Sequence, residues 1–61
     1  MRVMQIKDYV VFYRAKANHN KFFVYRVWAG GKELLEAYAD IGSCWEYLMQ
    51  LDPSLRNWEG N

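Results

Sequence analysis

Catalysis by a small chain asks for a nucleophile beside a base, or for two titratable groups whose environments separate their pKa values. Cys44 and His19 are the only thiol and the only imidazole in the 61 residues, and neither keeps such company. His19 lies between Asn18 and Asn20, residue types that tolerate left-handed backbone angles and favour turns. Cys44 falls in the first turn of an expected helix, where the dipole lowers a thiol pKa. It also lies on that helix's apolar stripe, which points to a buried structural thiol. Glu33, Glu36, Asp40 and Glu46 alternate with apolar residues and read as solvated positions. Gly30-Gly31-Lys32 makes a turn and not a phosphate-binding loop. One cysteine and one histidine cannot supply the three or four N and S ligands of a zinc site. No enzymatic activity, cofactor or metal is expected.

What the chain does supply is rings and cations. Eleven aromatic side chains make up 18% of it, more than one small core easily hides, so some rings should be buried and some presented. The charges are sorted by position. Residues 1 to 32 carry Arg2, Lys7, Arg14, Lys16, Lys21, Arg26 and Lys32 against Asp8 alone; from residue 33 onward, Glu33, Glu36, Asp40, Glu46, Asp52 and Glu59 face Arg56 alone. The net charge of +1 therefore hides a bipolar chain, which bears on partners and not on fold.

The elements that must position these groups follow from periodicity. Residues 8–17 and 21–29 are rich in β-branched and aromatic types and flank Asn18-His19-Asn20, the pattern of a β-hairpin with a three-residue loop. That loop sets Val11 opposite Val27 and Tyr13 opposite Tyr25. Alternation then makes the odd positions a core face and gathers Phe12, Arg14, Phe22, Val24, Arg26 and Trp28 on the other. Gly30-Gly31 marks a second turn, after which 32–39 reads as a third strand, with a helix as the alternative. Ser43 and Glu46 stand at capping-box spacing and predict a helix over 43–51, closed by Asp52-Pro53. In the tail, 53–61, Leu55 and Trp58 are expected to fold back onto the body. The expected fold is α+β: a three-stranded antiparallel β-meander with one C-terminal helix packed on one face (βββα), in a single domain spanning 1–61.

A chain of this length buries only about 60% of its unfolded surface, and with one cysteine no disulfide can supplement the core. Oligomerisation or a partner is the remaining supplement. The expectation is a non-enzymatic protein-interaction module, homodimeric or bound to another protein, with Phe12, Arg14, Phe22, Val24, Arg26 and Trp28 as its contact face. The alternative is single-stranded nucleic-acid binding on the same rings, with Arg14, Lys16, Lys21 and Arg26 on the phosphates; a pI near 7.9 stands against it. The acidic half could also imitate a row of phosphates. Uncharged runs such as Tyr9 to Tyr13 fall far short of the roughly 18 apolar residues that span a bilayer, and the start lacks an apolar signal segment. With a lone thiol, a cytoplasmic location is expected. In size and ββ(β)α build the chain resembles the small accessory proteins of phages and prophages, which implies binding to and modulation of a host protein; no motif carries that resemblance.

Overall fold

Strands form where β-branched and aromatic residues concentrate, and there are four of them: β1 (Arg2–Ile6), β2 (Tyr9–Tyr13), β3 (Phe22–Trp28) and β4 (Gly31–Tyr38). A helix, α1 (Ile41–Leu51), and a short 3-10 helix at Pro53–Asn57 follow. These come from a computed structural model, which describes residues 1–57; the expected contact of Trp58 lies outside them. The sheet is an antiparallel meander in the order β1-β2-β3-β4. The α+β class with a C-terminal helix is as expected, but the three-stranded meander becomes four-stranded. The missed strand is β1, whose alternation covers only Met4-Gln5-Ile6 before a register shift between Arg2 and Met4 breaks it.

The outer hairpins are tight. Ile6 opposes Tyr9 across Lys7-Asp8, with Lys7 at φ 52, the left-handed angle that the first residue of a II′ turn needs. Trp28 opposes Gly31 across Ala29-Gly30. The central hairpin is wider than its sequence suggests. The Arg14 amide donates to the Lys21 carbonyl (2.9 Å) and the Ala17 amide to the Arg14 carbonyl (3.1 Å), so residues 14–21 form an eight-residue loop. Ala15 and Ala17 offer a strand little to pack, and β2 stops at Tyr13.

That longer loop moves the register. Val11 opposes Val24 and Tyr13 opposes Phe22, a slip of three residues from the expected pairing, and an odd slip exchanges the two faces of the moved strand. Odd positions of β2 and even positions of β3 therefore share the helix side. Val11 and Val24 have no exposure and pack with Cys44 and Leu48 of α1, together with Ile6 and Leu55. The core is aliphatic, and Tyr9, Phe22, Tyr38, Trp45 and Tyr47 wall it as half-buried neighbours.

α1 begins earlier than 43, because Asp40 and not Ser43 is its cap. The Asp40 Oδ1 accepts from the Ser43 amide (2.8 Å) and its Oδ2 from the Ser43 hydroxyl (3.2 Å), satisfying a donor that the helix leaves without an internal partner. At the far end the Asp52 amide donates to the Leu48 carbonyl (2.8 Å). The Asp52 carboxylate then accepts from the Ser54 hydroxyl (2.7 Å) and from the Lys7 ammonium (3.1 Å). Lys7 thus ties the β1–β2 turn to the end of the helix and fixes how α1 lies across the sheet.

Candidate functional site

The helix covers one side of the sheet and leaves the other bare. From the register and strand alternation, the bare side carries Arg2 and Gln5 of β1, Val10 and Phe12 of β2, Phe23, Tyr25 and Val27 of β3, and Lys32, Leu34 and Ala37 of β4. Phe12 and Tyr25 meet edge to face, with centroids 5.5 Å apart and planes at 86°. The Lys32 ammonium reaches across β3 to lie 5.3 Å from the Phe12 centroid and 5.0 Å from that of Tyr25. Arg14 does the same from the loop: its guanidinium carbon sits 5.3 Å from the Phe23 centroid, and Nη2 donates to the Tyr25 hydroxyl (3.3 Å). At the third corner the Arg2 Nη1 donates to the Gln5 Oε1 (2.9 Å). Cations within about 6 Å of a ring face gain roughly 0.5–1 kcal/mol at exposed sites, enough to rest there and little enough to be displaced.

No carboxylate of the four strands shares that face; Asp8, in the β1–β2 turn, stands beside Val27 at its end, where its carbonyl accepts from the Val27 amide (2.7 Å). Glu36 opposes Val24 and Glu33 opposes Arg26, which puts both on the helix side with Asp40, Glu46 and Asp52 of α1 and its ends. Burial first, and then the Glu36 carboxylate, push the phenols of Tyr38 and Tyr47 upward, as a locally negative surface would. The charge asymmetry seen along the chain is therefore also an asymmetry between the two sides of the sheet.

The expected contact face of Phe12, Arg14, Phe22, Val24, Arg26 and Trp28 does not exist as one surface. Phe12 is on the bare side and Arg14 reaches over it. Val24 is in the core, Phe22 packs against that core and meets Tyr13 with the rings tilted (5.2 Å between centroids, planes at 51°), and Arg26 and Trp28 lie at the helix-side end of β3. The cause is the register slip, since moving β3 by three residues exchanges its rings. Phe23, Tyr25 and Lys32, passed over by the sequence reading, take the vacated places. Of the alternative phosphate contacts, Arg14, Lys16 and Lys21 do gather in the 14–21 loop, where the Lys21 Nζ donates to the Ala15 carbonyl (2.7 Å); Arg26 is apart from them. An eight-residue loop would have been legible only from the poor strand propensity of Arg14-Ala-Lys-Ala.

Comparisons with protein-family models, curated proteins and solved structures find no match. The chain's own residues are what speak for its function. His19 is exposed in the loop. Cys44 is fully buried, and that burial, reinforced by the nearby Asp40 charge, raises its thiol pKa, the opposite of an activated nucleophile. Among the described residues no three side chains are placed to hold a metal ion, and no helix is long and apolar enough to cross a membrane.

Proposed function

We propose that the chain is a non-enzymatic binding module whose bare sheet face holds single-stranded nucleic acid. One observation carries this: Phe12, Phe23 and Tyr25 share a face with Arg2, Arg14 and Lys32 and with no carboxylate of the strands, Asp8 standing at its turn end beside Val27. Rings offer stacking surface to any base, and cations between them neutralise the backbone, which is how open sheets hold single strands. Lys16 and Lys21 extend the positive charge past one end of the sheet. The same charge argues against the symmetric homodimer expected from the sequence. Twofold pairing sets a patch against itself, and here cations would meet cations in the desolvated interface. Edge pairing is disfavoured too. Both edge pairings carry a register shift, between Arg2 and Met4 at β1 and between Val24 and Tyr25 at β4, and irregular edges resist strand addition.

The test is anisotropy of a labelled oligothymidine over a salt series. Three neutralised phosphates give a slope of log K on log salt of about −2 for a single strand, or roughly a twentyfold loss from 50 to 200 mM salt. Arg14→Ala with Lys32→Ala should flatten that slope by about 1.4. Absence of binding at 20 mM salt, or a slope indifferent to both substitutions, removes the proposal. A second reading, docking of an acidic protein, is favoured by Leu34, which is 51% exposed on the same face and offers a base nothing to stack on. Leu34→Ser separates the two: it would weaken a protein partner and leave oligothymidine unaffected.

A further inference from the structure

Arg26 and Trp28, displaced from the sheet face by the register, line a cleft of about 300 Å³ with Asp8, Val27 and Glu33. It lies where the β1–β2 and β3–β4 turns end side by side, joined by the Val27 amide donating to the Asp8 carbonyl (2.7 Å). The indole is placed by the turn beneath it. A Cβ on Gly30 would come within 3.3 Å of the Trp28 Nε1, and one on Gly31 within 3.8 Å of its Cζ2, so the ring spans the two glycines with 54% of the residue exposed. Arg26 stands opposite Glu33 in register, yet among the described residues no ion pair or side-chain hydrogen bond engages Arg26, Asp8 or Glu33. The cleft thus offers one stacking surface, one donor fork and two free carboxylate acceptors.

We propose that this cleft binds a guanine base, an inference that builds on the nucleic-acid reading without sharing its residues. Guanine alone among the common bases presents two adjacent acceptors, O6 and N7, which a guanidinium grips with two hydrogen bonds, and adjacent donors, N1–H and N2–H₂, which suit a carboxylate. Arg26 takes the first edge, Asp8 or Glu33 the second, and Trp28 the face. Adenine sets its N1 acceptor against a carboxylate and its N6 donor against the guanidinium, and is rejected. The base comes either from a free guanine nucleotide or from a strand that leaves the bare face at this end.

The test is a titration with guanosine and adenosine monophosphates, following the indole N–H of Trp28 by NMR, with its signal assigned by loss in Trp28→Phe. Guanosine monophosphate should shift that signal and the Val27 amide, and Arg26→Met should weaken its binding by about 5- to 150-fold, the worth of one bidentate pair. Equal response to both nucleotides, or shifts elsewhere, overturns the assignment. Oligothymidine with and without a terminal guanine distinguishes the sources. If the guanine adds nothing to a strand and the free nucleotide does not bind, the cleft proposal falls while the sheet-face reading stands. If the free nucleotide binds and no strand does, the cleft stands and the sheet-face reading falls.

Discussion

Replacing Val24 by alanine and, separately, Val27 by alanine measures which side of β3 is inside. The two changes are chemically the same and sit in the same strand, so the loss of β propensity on going from valine to alanine cancels between them. Val24 has no exposure and lies beneath Leu48 in the aliphatic core; Val27 is half-buried on the bare side. Removing two methyl groups from water-free surroundings costs about 1.6 kcal/mol in transfer, and the cavity left among close-packed neighbours raises this to about 2–3 kcal/mol. For Val27 roughly half of the transfer applies and no closed cavity forms, so the cost stays under about 1 kcal/mol. In a domain of this size each kcal/mol moves Tm by about 4–8 °C. Val24→Ala should therefore lower Tm by roughly 8–24 °C, and Val27→Ala by a few degrees. Calorimetry or thermal circular dichroism reads both. The pairing expected from a three-residue loop reverses the order, with Val27 opposite Val11 in the core. A larger loss for Val27→Ala would refute the register and the division of rings and charges between the two sides.

Asp40→Ala removes the helix cap and should cost about 1 kcal/mol in urea unfolding, with Ser43→Ala costing less; the opposite ranking would restore Ser43 as the cap. The Asp52 carboxyl is held below its ordinary value, by the Ser54 hydroxyl first and by Lys7 with it. A carboxylate lowered in the folded state stabilises above its unfolded pKa, and that stability is lost as pH falls toward the lowered value, so Asp52→Asn should flatten the acid limb of a pH–stability curve. An unchanged limb would show the contact to be idle. The Cys44 thiol, raised by burial, stabilises below its unfolded pKa and loses that contribution as pH rises through the folded one. It should react with a disulfide reagent only on the timescale of unfolding, and rapid labelling of the native protein would contradict its burial.

What the sequence disclosed was local. A turn at the glycine pair, one residue earlier than Gly30-Gly31 at Ala29-Gly30, the strand composition on either side of it and the helix ahead of Asp52-Pro53 each depend on a few adjacent residues, and each is present. Register depends on loop length, and Asn18-His19-Asn20 gives a strong turn signal inside a longer loop that Arg14 begins and Lys21 closes. A three-residue error there left every strand of the hairpin in place and still exchanged the faces of β3, so the rings and cations stood out in the sequence but were assigned to the wrong sides of the sheet. Phe23 and Tyr25 stand one position from Phe22 and Val24, and nothing in side-chain chemistry distinguishes the two sets until the partner strand is aligned. β1 was missed because three alternating residues beside a bulge carry too little signal. The glycines were read for their backbone freedom, whereas here they also make room for an indole.

Because each strand pairs only with its neighbour in sequence, the longest loop the sheet must close is the eight-residue one between β2 and β3. Assembly can then proceed hairpin by hairpin, with loop closures of the order of tens of nanoseconds and hairpins in microseconds, and a topology of such local contacts belongs among the fast folders. The helix is the exception, for it reaches Val11 and Val24 from the far end of the chain. Synthesis from the N-terminus completes the whole sheet before Ile41 exists, and for that interval both sides of the sheet are wet. Arg14 and Lys32 rest on the rings of one side, whereas Val11 and Val24 on the other wait for α1 to cover them, which makes the valine side of the unfinished sheet the surface most exposed to misassociation until the helix arrives.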